Sequence, residues 1–329
     1  MKVIVLGTNH AGTTAVRTLK RLDPTCEVNT YDKNDAISFL GCETLKSEGI
    51  NVFMNHDVLS VDDKAKTVTV KDMLTGIDLE GVQICKNYHH AKKILEHNLD
   101  KSYKKIAVVG AGYIGVELVE AFNEYGKDVT LIDVADRIMP VYYDKEFTDL
   151  MQDKMTKAGV KLVLGSKVTE FKGENGKVTQ VVTDKGSIDV DYVIFSVGVR
   201  PQTKILEGVC DLDERGTIVT NDFMQTTNPD IYAVGDCAQV FNKALNKSVP
   251  IQLATTAVRT AVTAATNIIR GNVLKSPGYT GANGISVFDF HMASVGVSVE
   301  AAKRLGMEVE SINFHDLDRP EFMSSAHDV

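Results

Sequence analysis

The stretch "KKIAVVGAGYIGVELVEAFNEYGKDVTLID", residues 104–133, decides the fold. It reads as a strand, a G-x-G-x-x-G turn, a helix, and a second strand ending in an acid. Each glycine has a physical task. Gly110 makes the tight turn, Gly112 lets the backbone approach a pyrophosphate, and Gly115 lets helix and strand pack closely. The helix start then offers N–H groups to phosphate. Asp133 stands 18 residues beyond Gly115. A carboxylate there accepts from both ribose hydroxyls and repels a 2′-phosphate, which favours NAD(H) over NADP(H). Within the helix, Ile114, Leu118 and Phe122 recur at i, i+4 and i+8 and predict its buried face.

A second, degenerate copy opens the chain. "VIVLGTNHAGTTAVRTLKRLDPTCEVNTYDK" keeps Gly7 and Gly12, with Asn9 at the middle glycine position. Asp32 follows Gly12 at 20 residues. Two dinucleotide turns imply two dinucleotides, and a nicotinamide with a flavin is the usual pair for hydride transfer. Other Val/Ile-rich runs, "KLVLG", "DYVIFSVG" and "DIYAVGD", read as further strands. Residues 66–73 alternate like an antiparallel strand, and 177–184 with the run after "KGS" read as a hairpin. The expected class is α/β, with parallel sheets covered on both faces.

The composition bounds the rest. The chain has 329 residues and a formal net charge of −8, which argues for more than one core and against a nucleic-acid partner. No apolar run is long enough to cross a bilayer, and the start reads as a strand rather than a signal peptide. The five cysteines (Cys26, Cys42, Cys85, Cys210, Cys237) lack metal-type spacing, and the expected compartment is the reducing cytosol. Four of them read as packed small residues. Cys42, at the end of "NDAISFLGC", stays open between packing, a disulfide and a redox role.

Together "GTNHAG", "ISFLGC", "GAGYIGVELVEAF", "VGVRP", "TTNPDIYAVGD", "LATTAVRTA" and "RPEFM" resemble the NADH oxidase/NADH peroxidase branch of the FAD-dependent pyridine nucleotide-disulfide oxidoreductases. The resemblance implies two Rossmann-like units and a partial C-terminal α+β interface domain. It divides the chain into a first FAD-binding part (1–76), an NAD-binding domain (77–200), a second FAD-binding part (201–278) and a remnant of the interface domain (279–329). It implies FAD contacts at Gly7, His10, Ala11, Gly12, Asp32, Lys33, Cys42, Asp236, Leu253, Ala254 and Thr255. It implies NAD contacts at Gly110, Gly112, Tyr113, Ile114, Gly115, Asp133, Tyr142, Gly198 and Gly284, with Glu117 facing the nicotinamide.

The same resemblance makes Cys42 a single thiol cycling between thiolate and sulfenic acid, with His10 beside it. The implied activity is a water-forming NADH oxidase acting on NADH and O2, working as a homodimer when the interface domain is complete. A peroxidase using H2O2, a coenzyme A disulfide reductase and an FAD-free NADH-binding or redox-sensing protein are the alternatives. Three departures from the pattern stand out. The chain continues "CETLKSEGINVF" after Cys42, "IDLEGV" follows "KDMLTG" at once, and it stops at "RPEFMSSAHDV".

Overall fold

The computed structural model describes residues 1–32, 42–53, 76–198, 201–317 and 319. The expected strand at 66–73, together with Lys33, Val199 and Arg200 of "VGVRP" and residues 320–323 of "RPEFM", lies outside the described residues.

The first unit is β1 (Lys2–Leu6), α1 (His10–Leu22), β2 (Glu27–Tyr31), α2 (Cys42–Ser47) and β3 (Asn51–Phe53). The strands are parallel, in the order β1-β2-β3. Val3, Val5 and Val28 turn to one face and pack with Val16, Leu19 and Cys26. Helix α1 ends at Asp23, ahead of Pro24, with Lys20 and Arg21 in its last turn to complement the helix dipole. On the other face of β1, Ile4 and Leu6 are 65% and 46% exposed.

The second unit runs through β4 (Val82–Ile84), α3 (Tyr88–Leu99), β5 (Lys105–Val109), α4 (Tyr113–Glu124), β6 (Asp128–Ile132), α5 (Lys145–Lys157), β7 (Lys161–Val163), β8 (Val168–Glu174), β9 (Lys177–Thr183), β10 (Gly186–Asp189) and β11 (Tyr192–Phe195). Its five-stranded parallel sheet has the order β4-β11-β5-β6-β7. Successive side chains of β5 alternate between two cores. Ile106 and Val108 pack under the helices with Val119, Phe122 and Met151. Ala107 and Val109 pack on the opposite side with Phe171 and Val181 of the antiparallel sheet β8–β10. Both faces are therefore covered, as the unbroken apolar reading of β5 requires.

The chain then forms the antiparallel pair β12 (Gln239–Asn242) and β13 (Lys247–Pro250), and α6 (Ala254–Arg270), which packs on α1 and places Ala265 in the first unit's core. The hairpin β14 (Ala282–Val287) and β15 (Phe290–Val295) follows, then α7 (Val299–Arg304). Phe288 and Asp289, both at φ near 50°, form the tight turn of that hairpin. Ile285, Val287 and Met292 insert into the helix-side core of the second unit, so the hairpin is fixed to it.

Two expectations need correction. The buried face of α4 is Gly115, Val116, Val119 and Phe122, while Ile114 is 42% exposed. An i, i+4, i+8 stripe drifts around a helix of 3.6 residues per turn, and the close approach of Gly115 to the glycine turn fixes which side faces the sheet. "DIYAVGD" does not form a strand. Its one ladder contact among the described residues is an isolated bridge between Tyr232 and Gln225. A strand needs a neighbour to pair with, and none of the described strands lies alongside.

Candidate active site

The two glycine turns have nearly the same backbone. Gly7 and Gly110 sit at φ of 96° and 109°, a region that glycine enters without steric cost. A Cβ on Gly12 would stand 1.9 Å from the Gly7 carbonyl oxygen, and one on Gly115 would stand 1.8 Å from that of Gly110. At the middle position Asn9 (φ −75°, ψ −167°) and Gly112 (φ −82°, ψ −170°) share one conformation that any residue can adopt. Glycine at 112 is thus about clearance rather than φ, and nothing stands within 4 Å of where its Cβ would be. Neither α1 nor α4 has a side-chain cap, so their first-turn N–H groups face outward in the way an anion site requires. An open cradle beside uncapped helix starts fits a pyrophosphate.

Each turn is closed by the acid that ends the following strand. Asp32, 8% exposed, accepts from the Thr8 amide at 2.8 Å and the Thr8 hydroxyl at 2.6 Å, both through Oδ2. Asp133 accepts from the Ala111 amide through Oδ2 at 2.5 Å and from the Ala135 amide through Oδ1 at 2.7 Å. Each acid holds its turn in place, and Asp133, with two amide bonds, still has oxygen lone pairs for a ribose. Thr8 was not singled out from the sequence. A hydroxyl residue directly after the first glycine is the signal that marks it.

The starts of α1 and α6 meet at the 3-10 turn Gly235–Cys237. A Cβ on Gly235 would stand 3.0 Å from the Ala11 methyl and 3.8 Å from that of Ala257. Leu253 is the N-cap of α6, Ala254 and Thr255 open it, and both of the latter are exposed. Burial raises the Asp236 carboxyl above the usual range, and the nearby His10 charge offsets part of that rise. Tyr142 from the second unit lies close enough to Asp236 that burial first, then this carboxylate, pushes its phenol up. His10, Asp236 and Tyr142, far apart in sequence, therefore share one region.

On the second unit's side, the Tyr113 ring stands edge-on to Tyr142 at 4.8 Å between centroids. Its hydroxyl meets that of Tyr143 at 2.7 Å and donates to Asn283 Oδ1. Burial, with the Tyr143 hydrogen bond, holds the Tyr113 phenol well above its ordinary range. Burial, then Glu120, also raises the Glu117 carboxyl. Arg137, 3% exposed, stiffens the loop that carries the tyrosines by donating to the carbonyls of Tyr143 and Pro140 and to Glu300 of α7. Gly198 is exposed at φ of 92° just past β11, and Gly284 lies in β14 beside Asn283. Cys42 opens α2; its side chain, and with it the expected pairing with His10, lies outside what the structure describes. Cys26 is fully buried, and Cys85, Cys210 and Cys237 pack against apolar clusters.

The family model for pyridine nucleotide-disulphide oxidoreductases matches residues 1–261. The chain is 39% identical to the NADH oxidase of Enterococcus faecalis, covering 100% of this chain and 84% of that one. That alignment runs over 377 positions against 329 residues here, so the relative carries internal residues that this chain lacks. The water-forming NADH oxidase of Lactobacillus brevis, solved bound to NADH, superposes with a TM-score of 0.92 at 35% identity, covering 100% of this chain and 82% of that one. An engineered NADPH oxidase made from that enzyme and bound to NADPH gives 0.92 at 33% identity, with the same coverage. Among the described residues no helix is long and apolar enough to cross a membrane. From the fold, the paired glycine turns and these likenesses, the chain belongs to the pyridine nucleotide-disulphide oxidoreductase family, in its NADH oxidase branch.

Proposed function

We propose that the protein is an FAD-dependent NADH oxidase that reduces O2 to water. The observation that carries this reading is the pair of glycine turns of matching geometry, each closed by an acid, in a chain 39% identical over its whole length to an NADH oxidase. In this reading Gly7, Ala11, Gly12, Asp32, Asp236 and the start of α6 hold FAD. Gly110, Gly112, Gly115 and Asp133 hold NADH, with Tyr113, Ile114, Tyr142, Gly198 and Gly284 around its nicotinamide end. When bound, FAD supplies a two-electron store between NADH and O2.

The choice of NADH over NADPH has separate support. In the engineered NADPH oxidase the substitutions fall on a glycine, an aspartate eighteen residues on, the two residues after it, and a proline five further on. The same spacing here meets Gly115, Asp133, Val134, Ala135 and Pro140.

The role of Cys42 follows from thiolate chemistry. One NADH, a proton and O2 give NAD+ and H2O2. The Cys42 thiolate then takes one peroxide oxygen and, with a proton, becomes sulfenic acid as the first water leaves. His10 is the acid that hands over that proton. A second NADH returns the sulfenic acid to thiolate, releasing the second water and NAD+. A cytosolic location and a homodimer, together with the four-part division of the chain at 76, 200 and 278, belong to the same reading.

Oxygen uptake with NADH by the FAD-loaded protein tests the activity. Turnover only with added peroxide replaces the oxidase by a peroxidase. A protein that stays colourless after incubation with FAD ends the flavoenzyme reading and leaves an NADH-binding protein. For the thiol, Cys42→Ser should keep NADH and FAD binding and release H2O2 in place of water, read by peroxide assay. A mutant that still makes only water removes Cys42 from the reaction.

A further inference from the structure

The loop between β6 and α5 starts at Asp133 and carries Pro140 and Tyr142. Pro140 is one of the positions matched by spacing to the substitutions of the engineered NADPH oxidase. The Met139 amide donates to the Ala111 carbonyl at 2.9 Å, which ties the loop to the second glycine turn. Met139 is fully buried at φ of 47°, a left-handed conformation that a residue other than glycine keeps only when its surroundings impose it.

The C-terminal segment holds this loop at two points. Near its start, the buried guanidinium of Arg137 donates to the Tyr143 carbonyl at 2.7 Å, the Pro140 carbonyl at 3.3 Å and Glu300 Oε2 at 2.6 Å. Glu300 is its only carboxylate partner among the described residues. Without that carboxylate a buried cation is left uncompensated, and the loop around it is drawn toward water. At the end of the loop, Asp144 is the N-cap of α5, yet its side chain makes no capping bond to that helix. An aspartate there ordinarily accepts from its own first turn. Here the carboxylate accepts instead from the Val299 and Glu300 amides, at 3.1 and 3.2 Å, which open α7.

We propose that Arg137 and Asp144 are positioning residues for NADH: they clamp the loop beyond Asp133 to α7, so that Glu300 sets NADH affinity from the C-terminal segment without touching the cofactor. This rests on the proposed function and adds α7 to the support of the NADH site.

The test uses FAD-loaded variants. Glu300→Ala should raise KM for NADH about five- to tenfold, the weight of one charge-assisted hydrogen bond, and leave kcat within about twofold. Glu300→Gln keeps an acceptor oxygen and should recover most of that loss. Asp144→Ala leaves Arg137 paired and should raise KM about two- to threefold. Arg137→Met added to Glu300→Ala removes the stranded charge, so the pair should do no more harm than Glu300→Ala alone. An unchanged KM in either alanine variant, a glutamine no better than alanine, or effects that add in the double variant overturns the clamp. Calorimetric titration with NAD+, which does not reduce flavin, reads affinity without turnover and should weaken by the same factors. The visible spectrum should show unchanged FAD content, since the loop belongs to the second unit. FAD lost together with NAD+ affinity means general loosening and overturns the clamp. A protein that does not oxidise NADH fails the proposed function, and the NAD+ titration still decides the clamp.

Discussion

Strands β1 and β5 play the same part in the two nucleotide units, yet their surroundings differ. Strand β5 lies between β11 and β6, and its Ile106, Ala107 and Val108 are at most 1% exposed. Strand β1 pairs with β2 alone among the described strands, and Ile4 and Leu6 remain open. The turns themselves match to within a tenth of an ångström in their tightest contact. The glycine turn thus needs only its own strand, helix and closing acid, whereas the stability of the unit around it depends on the neighbouring strands. Among the described strands β1 has one unpaired edge, and an unpaired strand edge favours pairing with other chains.

The largest expected effect sharpens this contrast. Phe122→Ala empties a site that is 0% exposed beneath β5 and should cost about 3–5 kcal/mol. Ile4→Ser, on the open face of β1, should cost less than about 0.5 kcal/mol and should reduce aggregation. Chemical denaturation of both variants, with hydrogen exchange along β1 and β5, measures it. Equal costs, or equal protection of the two strands, would break the comparison.

An intermediate effect concerns the closing acids. Asp133→Ala should raise KM for NADH roughly tenfold, worth about 1.4 kcal/mol, and narrow the preference over NADPH. Asp32→Ala releases both bonds to Thr8 and should act on FAD retention instead, read by the visible spectrum after gel filtration. An unchanged NADH to NADPH ratio in Asp133→Ala removes that residue from cofactor choice. Alanine at Gly115, as at the glycine matched by spacing in the engineered NADPH oxidase, requires α4 to back away from the Gly110 carbonyl rather than to unfold.

The glycine turns, the closing acids and most strands of the second unit were legible in the sequence because their constraints are local: a positive φ, a missing Cβ, a run of β-branched residues. The arrangement around Tyr113 was not. Its acceptor, Asn283, is 170 residues away and has no local signature of its own. Arg137 reads as an ordinary surface cation until Glu300 and two carbonyls surround it. The residues of "DIYAVGD" favour a strand, but a strand is a property of a pair, and no described strand pairs with it. Ile114 was placed inward by periodicity alone, when the close contact at Gly115 sets the rotation of α4.

The smallest expected effect lies where the two units meet. Burial raises the Asp236 carboxyl above its ordinary value of 3.8, and His10 offsets part of the rise. The folded protein therefore holds this proton more tightly than the unfolded chain does. By linkage, stability falls as pH rises through the folded value, and what the partial desolvation of this charge costs is present in full at neutral pH. Below 3.8 both states are protonated and the cost is absent. Asp236→Asn should accordingly raise the melting temperature of the FAD-free protein at neutral pH by about one or two degrees and leave it unchanged in acid. The gain is small because Asp236 is exposed to water, which screens its charge. A variant that melts lower at neutral pH would mean that Asp236 is held by its neighbours as an ion, making it a brace between the units rather than a carboxylate kept at some expense to the fold for the ligand between them.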